Sequence, residues 1–435
     1  MIHCDYMKLI ILLFCGLFVS LHSGYAQQDP RTEIQQDKKL SGANFLAYPA
    51  PAQTTYSSAP KGYKPFYIST YVRHGSRFHT NKHDYTYALT PLEKADSAKV
   101  LSSVGKDVLR KIARVLQLSD GRLGELTPLG ALQHRGIAER MYHNFPEIFA
   151  KSIAIDARST DVVRCILSMT SECLQLQALN PKLCISNDAS RHDMYYMNYN
   201  DKYLAGLRYR EKQELIKAFK QRHVHPERLM KVLFTDSTYV KANIRPHDLM
   251  QHLFFVAMNM QSVDKKELEF YDLFTSEECY ELWSCWNVIW YLEAGNTPLT
   301  EGMMPYKGTN LLQNILDTAD SCIVKKEPSA TLRFGHESCL LPLAVLMELG
   351  DCGYVTEDLE TLADHWQCYQ YFPMASNIQL IFYRKPASKD ILVRVLLNEK
   401  EISLPIKTNC APFYHWHDVS GYYRKKLSRY TPTDK

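Results

Sequence analysis

The sequence predicts an α/β fold in which a sheet-containing core is interrupted by a mainly helical insertion. Short apolar runs that end in glycine or in charged residues are typical of buried strands, and three of them occur at 66–70, 153–157 and 331–335. Amphipathic spacing predicts helices between residues 211 and 292, and further strand-like runs follow at 378–384, 391–397 and 402–406. We therefore assign 65–175 and 322–430 to the core and 176–321 to the helical insertion.

The N-terminal region predicts a targeting segment followed by an arm. Lys8 precedes an almost entirely apolar run, 9–21, and small residues follow that run. This order is typical of a cleaved signal peptide, and the run is too short to span a bilayer comfortably. We therefore expect 1–26 to be removed and the protein to be secreted or periplasmic, with a lipid anchor at Cys15 as the lesser alternative. The polar, proline-containing stretch 27–64 predicts a leader arm that wraps the core or is partly mobile.

The composition narrows the functional classes. With 435 residues, of which 46% are apolar, the chain is long enough for a full core and more than one lobe. A net charge of +4 argues against a nucleic-acid-binding protein with an extended basic face, and no later run predicts a membrane span. The cysteines beyond the signal peptide are compatible with a disulfide framework or with mostly buried thiols and one or two bridges. Neither their connectivity nor the oligomeric state can be read from the sequence.

A histidine lies between two arginines directly after the first predicted strand, in the string Arg73-His74-Gly75-Ser76-Arg77. A phosphomonoester carries about two negative charges near neutral pH, so its oxygens need fixed cations before a nucleophile approaches phosphorus. Neutral imidazole attacks without prior deprotonation, and glycine lets the backbone approach the phosphate closely. The string predicts His74 as a nucleophile held between two phosphate-binding arginines, although a string this short is by itself equally typical of a surface turn.

Two further predicted strands end in residues suited to the same chemistry. The run at 331–335 is followed by His336 and Glu337, and the run at 153–157 is followed by Arg158. In open α/β sheets ligands bind at the carboxyl ends of the strands, so we expect these side chains to meet His74. A helix that begins just after Arg158 adds its N-terminus, which also favours anions.

With these residues in view, the chain resembles the second branch of the histidine phosphatase superfamily, the histidine acid phosphatases and phytases. The strings at 73–77 and 124–130 are similar to two blocks of that family, and Arg158 is similar to the arginine that follows them. Later strings are similar to those of multiple inositol polyphosphate phosphatases, at 332–336, 340–343, 375–377, 396–400 and 404–405. The resemblance covers roughly residues 60–410 and implies an α/β core sheet of the histidine phosphatase type with a helical lobe over the site.

Two positions depart from the family pattern. The family usually has proline where this chain has His79, and the inositol polyphosphate branch usually has His-Ala-Glu where this chain has His336-Glu337-Ser338. The acid is therefore displaced by one residue. Glu337 takes the place of the aspartate that protonates the leaving oxygen in ordinary acid phosphatases. The resemblance thus implies Glu337 as general acid and Ser338 as a polar bystander.

The resemblance implies a phosphomonoesterase that hydrolyses inositol polyphosphates such as phytate through a phosphohistidine at His74, without a cofactor. It assigns the phosphoryl oxygens to Arg73, Arg77, Arg158 and His336. We also expect a cationic rim for a polyphosphorylated ring, formed by His79, Lys82 and His83. The alternatives are a broad-specificity acid or sugar phosphatase and a phosphate-ligand binding protein with impaired turnover.

No metal site is predicted from the sequence. The histidine pairs at 223 and 225 and at 415 and 417 have the spacing of two ligands on one strand face. No cysteine or carboxylate set completes either pair, so solvated or packed histidines are the better interpretation.

Overall fold

The computed structural model describes residues 29–51, 55–325, 329–386 and 388–432. The predicted signal peptide, 1–26, lies outside the described residues. The strands in these ranges are β1 (Lys64–Arg73), β2 (Ala154–Ser159), β3 (Cys184–Asp188), β4 (Ser329–Gly335), β5 (Asn377–Arg384), β6 (Ile391–Leu397), β7 (Lys400–Glu401) and β8 (Tyr414–His415).

The α-helices alternate with these strands and fill the long interval between β3 and β4. They are α1 (Pro30–Gln36), α2 (His83–Ser97), α3 (Ser103–Leu118), α4 (Pro128–Asn144), α5 (Pro146–Phe149), α6 (Val163–Leu179), α7 (Met194–Met197), α8 (Lys202–Gly206), α9 (Tyr209–His223), α10 (Glu227–Leu233), α11 (Ser237–Asn243), α12 (Pro246–Val263), α13 (Ser276–Ala294), α14 (Thr309–Val324), α15 (Glu337–Leu346), α16 (Cys368–Tyr371) and α17 (Trp416–Leu427).

One sheet organises the core, with the strand order β3-β2-β4-β1-β5-β6-β7 and with β8 paired to β6. Strands β1 to β4 pair in parallel, whereas β5, β6 and β7 extend the sheet in antiparallel pairs. In register, Arg73 lies opposite Gly335 and Ser159 lies opposite Phe334. The carboxyl ends of β1, β4 and β2 therefore meet at one edge of the sheet, as the sequence predicts for a ligand site.

The central strands are buried on both faces because their side chains alternate between two helical layers. In β1, Ile68 and Val72 belong to an apolar cluster that includes residues of α4 and α6. Tyr67 and Tyr71 point the other way, into a larger cluster that includes residues of α12 to α15. Burial on both faces explains why β1 reads as an almost continuous apolar and aromatic run.

The predicted helices of the insertion are confirmed. The amphipathic stretches at 211–221, 228–233, 246–260 and 277–292 correspond to α9, α10, α12 and α13. The start of α13 is fixed by a capping box in which Thr275 and Glu278 bond each other's backbone N–H groups. The mixed α/β architecture is thus the one that the sequence predicts.

Two local assignments are corrected. Residues 184–188, which we placed in the insertion, pair with β2 as β3, an edge strand whose mostly exposed side chains give no buried-strand pattern. The predicted strand at 402–406 does not form, because Pro405 has no N–H to donate. Ile402 still donates to the Val395 carbonyl oxygen of β6 at 3.1 Å, but after it the chain bonds other segments, with Ser403 accepting from the N–H of Gly350 at 3.0 Å.

The described part of the predicted arm contains α1 and a 3₁₀ run, Lys38–Phe45, which pack against α12 and α13. All ten cysteines beyond the predicted signal peptide are free thiols, and most are buried. The cysteines of this part of the chain are therefore mostly buried thiols, as our second alternative expected, but they form none of the one or two disulfide bridges that it included. Within the described ranges, no helix is both long and apolar enough to cross a membrane.

Candidate active site

The loop after β1 is held against two helices by its backbone. The N–H of Gly75 donates to Ser168 Oγ of α6 at 3.1 Å, and the N–H of Ser76 donates to Gln133 Oε1 of α4 at 2.9 Å. A Cβ on Gly75 would lie 2.5 Å from the carbonyl oxygen of Gly130, so this approach requires glycine. The block at 124–130 therefore acts by letting α4 pack directly under the loop that carries His74.

His74 is fully buried in a defined tautomer. Its Nδ1 lies 2.9 Å from the carbonyl oxygen of Gly75, which can only accept, so Nδ1 carries the proton and Nε2 keeps its lone pair. Among the described residues, Nε2 has no hydrogen-bond partner. Burial lowers the pKa of His74 well below its usual value despite the nearby carboxylate of Glu337. The imidazole is therefore neutral near pH 7, which is the state a nucleophile needs.

Arg73 is fixed by three of its five N–H groups. Its Nε donates to Glu337 Oε2 at 3.1 Å, and its Nη1 donates to the carbonyl oxygens of Asn44 at 2.6 Å and Phe372 at 2.8 Å. The side chain has no exposed surface, and Nη2 has no partner among the described residues. The guanidinium thus keeps two N–H groups for a ligand.

Two more guanidinium groups lie at the same edge of the sheet. Arg77 is 6% exposed, its Nη1 donates to the carbonyl oxygen of Phe78 at 3.0 Å, and burial lowers its pKa to about 10. Arg164, in the first turn of α6, places Nη2 3.5 Å from His336 Nδ1 and Nη1 3.5 Å from the carbonyl oxygen of Gly124. The Nε atoms of both arginines are buried and have no partner in the described part of the chain.

Arg158 does not join this cluster, although we expected it there. Its guanidinium donates to Asp156 at 2.8 Å, to Asp188 at 2.9 Å and to Asp193 at 3.1 Å. Residues two apart on a strand share a face, so Asp156 directs Arg158 toward the aspartates beside β3. Arg164, six residues later, occupies the position next to His336 instead.

His336 and Glu337 stand at the start of α15. His336 Nε2 lies 3.2 Å from Thr160 Oγ1, and burial, together with the charge of Arg164, lowers its pKa to about 4. Glu337 Oε2 lies 3.4 Å from His74 Nε2, and its side chain is 14% exposed. Burial alone would raise the pKa of Glu337, but the charge of Arg73 and the other neighbouring cations hold it well below its usual value. The carboxyl is therefore ionised next to a neutral imidazole.

Of the three residues predicted to form the rim, one is buried and two are exposed. His79 is buried, with its ring stacked on Phe255 at 4.4 Å and Nε2 3.1 Å from the Phe255 carbonyl oxygen, and burial lowers its pKa to about 3. A neutral, packed imidazole cannot be the expected cation, so His79 is a structural residue. Lys82 and His83 are exposed at the start of α2, as a rim requires. Ser338, beside the acid, is also exposed.

One group of side chains in the described ranges has ligand atoms close enough to hold a metal ion: His74, His336 and Glu337, within 4.8 Å of one another. Three guanidinium groups surround this group, and their charges oppose a divalent cation. The two histidine pairs noted in the sequence do not form such groups. His223 lies between Glu281 and Glu360, and His415 lies between Asp390 and Asn409.

The family model of the histidine phosphatase superfamily (branch 2) matches residues 69–398, and the chain belongs to this family. Among solved structures, the chain is similar to the Bifidobacterium longum multiple inositol polyphosphate phosphatase in complex with inositol hexasulfate. The TM-score is 0.70 and the identity 18%, over 88% of this chain and 97% of that chain.

It is also similar to the phytase from D. castellii, with a TM-score of 0.62 and 13% identity over 90% of this chain and 85% of that chain. A third similar structure is the Hafnia alvei phytase in complex with myo-inositol hexakis sulphate. Its TM-score is 0.52 and its identity 12%, over 85% of this chain and 98% of that chain. A comparison with curated proteins found no match.

Sequence reasoning did not identify Arg164 as the third arginine of the cluster, and it did not identify the arm residues that contact the other two arginines. The alternation of β2 gave a signal for the first error, because Asp156 shares a strand face with Arg158. No local pattern indicated that Asn44 and Phe45, about 30 residues before His74, contact Arg73 and Arg77.

Proposed function

We propose that the protein is a phosphomonoesterase that hydrolyses inositol polyphosphates through a phosphohistidine at His74. The observation that carries this proposal is a set of buried guanidinium nitrogens without partners in the described chain, Nη2 of Arg73 and the Nε atoms of Arg77 and Arg164, beside the Nε2 lone pair of His74. Buried polar groups are normally satisfied, so a set of three cations and one lone pair is suited to an anionic ligand. Phosphoryl oxygens supply the acceptors and the charge that this set lacks.

In the first step, the three arginines hold the non-bridging oxygens while the Nε2 lone pair attacks phosphorus and the ester P–O bond breaks. Glu337 donates its proton to the departing alkoxide. Because Glu337 Oε2 lies 3.4 Å from Nε2, phosphorus reaches the nucleophile only when the carboxyl group moves aside. In the second step, Glu337 takes a proton from water, the water oxygen attacks phosphorus, and the P–N bond breaks to release inorganic phosphate.

The proton on Glu337 comes with the substrate. The carboxyl is ionised in the free protein because neighbouring cations lower its pKa. A phosphate monoanion has a second pKa of about 6, and its negative charge opposes that of the carboxylate beside it. Binding the monoanion therefore delivers both the phosphoryl group and the proton that the leaving oxygen needs.

Inositol polyphosphates are the substrate class that the surroundings favour. Lys82 and His83 are exposed just after the nucleophile loop, and their positive charge is suited to further phosphate groups of a polyphosphorylated ring. The similar Bifidobacterium longum and Hafnia alvei structures hold sulfated inositols, which supports the same class of ligand here. The signal peptide predicted at 1–26 supports action outside the cytoplasm.

The experiment that tests this function measures phosphate release from phytate and from nitrophenyl phosphate by the wild type and by His74→Ala. We expect both esters to be hydrolysed, phytate preferentially, and an acid-labile, base-stable phosphoryl group to be trapped on the wild type alone. Hydrolysis of the aryl ester without phytate hydrolysis would indicate the broad phosphatase, and tight phytate binding without release would indicate the binding protein. Appreciable turnover by His74→Ala would refute the covalent mechanism.

A further inference from the structure

The N-terminal arm passes through the active site as well as around the core. The carbonyl oxygen of Asn44 accepts from Arg73 Nη1 at 2.6 Å, and the ring of Phe45 lies 5.3 Å from Arg77 Cζ. The Phe45 ring also meets His79 edge-on at 5.2 Å. Two consecutive arm residues thus contact both arginines of the nucleophile string.

The arm is held in this position at some cost in conformational energy. Ala43 is fully buried with φ 48° and ψ −122°, a region that residues with a Cβ rarely adopt. Such a conformation persists only where the surrounding contacts determine it. The next residue after Ala43 is Asn44, whose carbonyl group accepts from Arg73. The strained residue therefore directly precedes the arm residue that contacts the site.

The helical insertion anchors the arm from its outer side. Gln261 of α12 accepts from the N–H of Ala47 at 3.1 Å and donates to the carbonyl oxygen of Lys39 at 2.9 Å. A Cβ on Gly42 would lie 2.5 Å from Gln261 Nε2, so the arm and α12 are in close contact. Among the described residues, the side chain of Gln261 bonds Ala47, Lys39 and Tyr271 and no arginine of the site.

We propose that residues 43–47 of the arm are positioning residues for catalysis, which hold Arg73 and Arg77 in the orientation that binds a phosphoryl group. Arg73 has five N–H groups, and the carbonyl groups of Asn44 and Phe372 occupy both hydrogens of Nη1. With Nε bound to Glu337, the plane of the guanidinium is fixed and Nη2 alone is left for the ligand. The ring of Phe45 covers the face of Arg77 and keeps water from it, which strengthens its attraction for an anion.

This role rests on the proposed function, and its test uses inorganic phosphate as well as turnover. Phe45→Leu keeps an apolar side chain but removes the aromatic face, and Gln261→Ala releases the arm from outside the site. Ser262→Ala is the matched control, because Ser262 is buried on the same helix and its Oγ has no partner among the described residues. Calorimetry measures phosphate binding, nitrophenyl phosphate gives kcat and KM, and thermal unfolding reports stability.

We expect Phe45→Leu to weaken phosphate binding and to lower kcat by about tenfold, as the loss of a desolvated cation–π contact does. We expect Gln261→Ala to have an effect of similar size, because the arm that carries the Asn44 carbonyl group is no longer bonded to α12. Ser262→Ala is expected to match the wild type in all three measurements. Wild-type phosphate affinity and kcat in both folded variants would overturn the positioning role. If Phe45→Leu does not fold, Gln261→Ala alone decides the matter. Absence of turnover in the wild type would refute the proposed function, and phosphate binding by the variants would still decide the role of the arm.

Discussion

Arg164 and Arg158 lie six residues apart, and the structure predicts opposite consequences for removing them. In Arg164→Ala, the site loses one of its three guanidinium groups. Loss of one preorganised donor to a developing anionic centre costs about 10²–10³ in kcat, or about 3–4 kcal/mol of transition-state stabilisation. Both hydrogen bonds of the Arg164 guanidinium group are 3.5 Å long, at the limit for such bonds. Its removal is therefore expected to change the free energy of unfolding by less than about 1 kcal/mol.

Arg158→Ala is the matched control. Its guanidinium binds three aspartates and its side chain is 31% exposed, so solvent screens these ion pairs and the loss is roughly 1 kcal/mol of stability. We expect no more than a few-fold change in turnover. Steady-state kinetics on nitrophenyl phosphate and thermal unfolding of both variants make the comparison, with Arg164→Lys to retain the charge. A folded Arg158→Ala variant with the larger loss of kcat would refute our placement of the third phosphate-binding arginine.

The remaining predictions concern the acid, metals and pH. Glu337→Gln should lower turnover of alkyl phosphates by about 10²–10⁴, with a smaller loss on nitrophenyl esters, which need less protonation; a larger loss from Ser338→Ala would contradict this assignment. EDTA should leave hydrolysis of nitrophenyl phosphate intact, because guanidinium groups supply the positive charge; loss restored by zinc or magnesium would refute this. The value of kcat/KM should fall above about pH 6 as the substrate loses its monoanion proton, while His74 stays neutral well below pH 6.5; a rise in kcat/KM from pH 6 to 8 would contradict the proton source. Because the pKa of His336 falls from 6.5 to about 4 on folding, the folded state binds fewer protons than the unfolded state. The free energy of unfolding should therefore decrease by up to about 3 kcal/mol as the pH drops from 6.5 to about 4. Urea unfolding measures this decrease, which should be smaller in His336→Gln.

The sequence by itself determined the α/β class, and it predicted which residues of 73–77 and 336–337 lie at the candidate site. These features are local, because a buried strand followed by glycine and charged residues forms within a few positions of the chain. The rule that ligands bind at the carboxyl ends of strands then brings His74, His336 and Glu337 together, and the register of β1 with β4 does so in the structure. The tight turn between β6 and β7 is equally local, because Asn398 and Glu399 have the positive φ values of a short hairpin.

Only the tertiary structure decided which arginine of the β2–α6 connection faces the site and what holds the others. The choice between Arg158 and Arg164 depends on aspartates from two further segments, and the fixation of Arg73 depends on carbonyl groups 29 positions before it and 299 positions after it. The burial that makes His79 a packing residue likewise comes from Phe255, 176 positions away. Backbone carbonyl groups are the same in every residue, and distant charges leave no local pattern, so these contacts become visible only when the chain has packed.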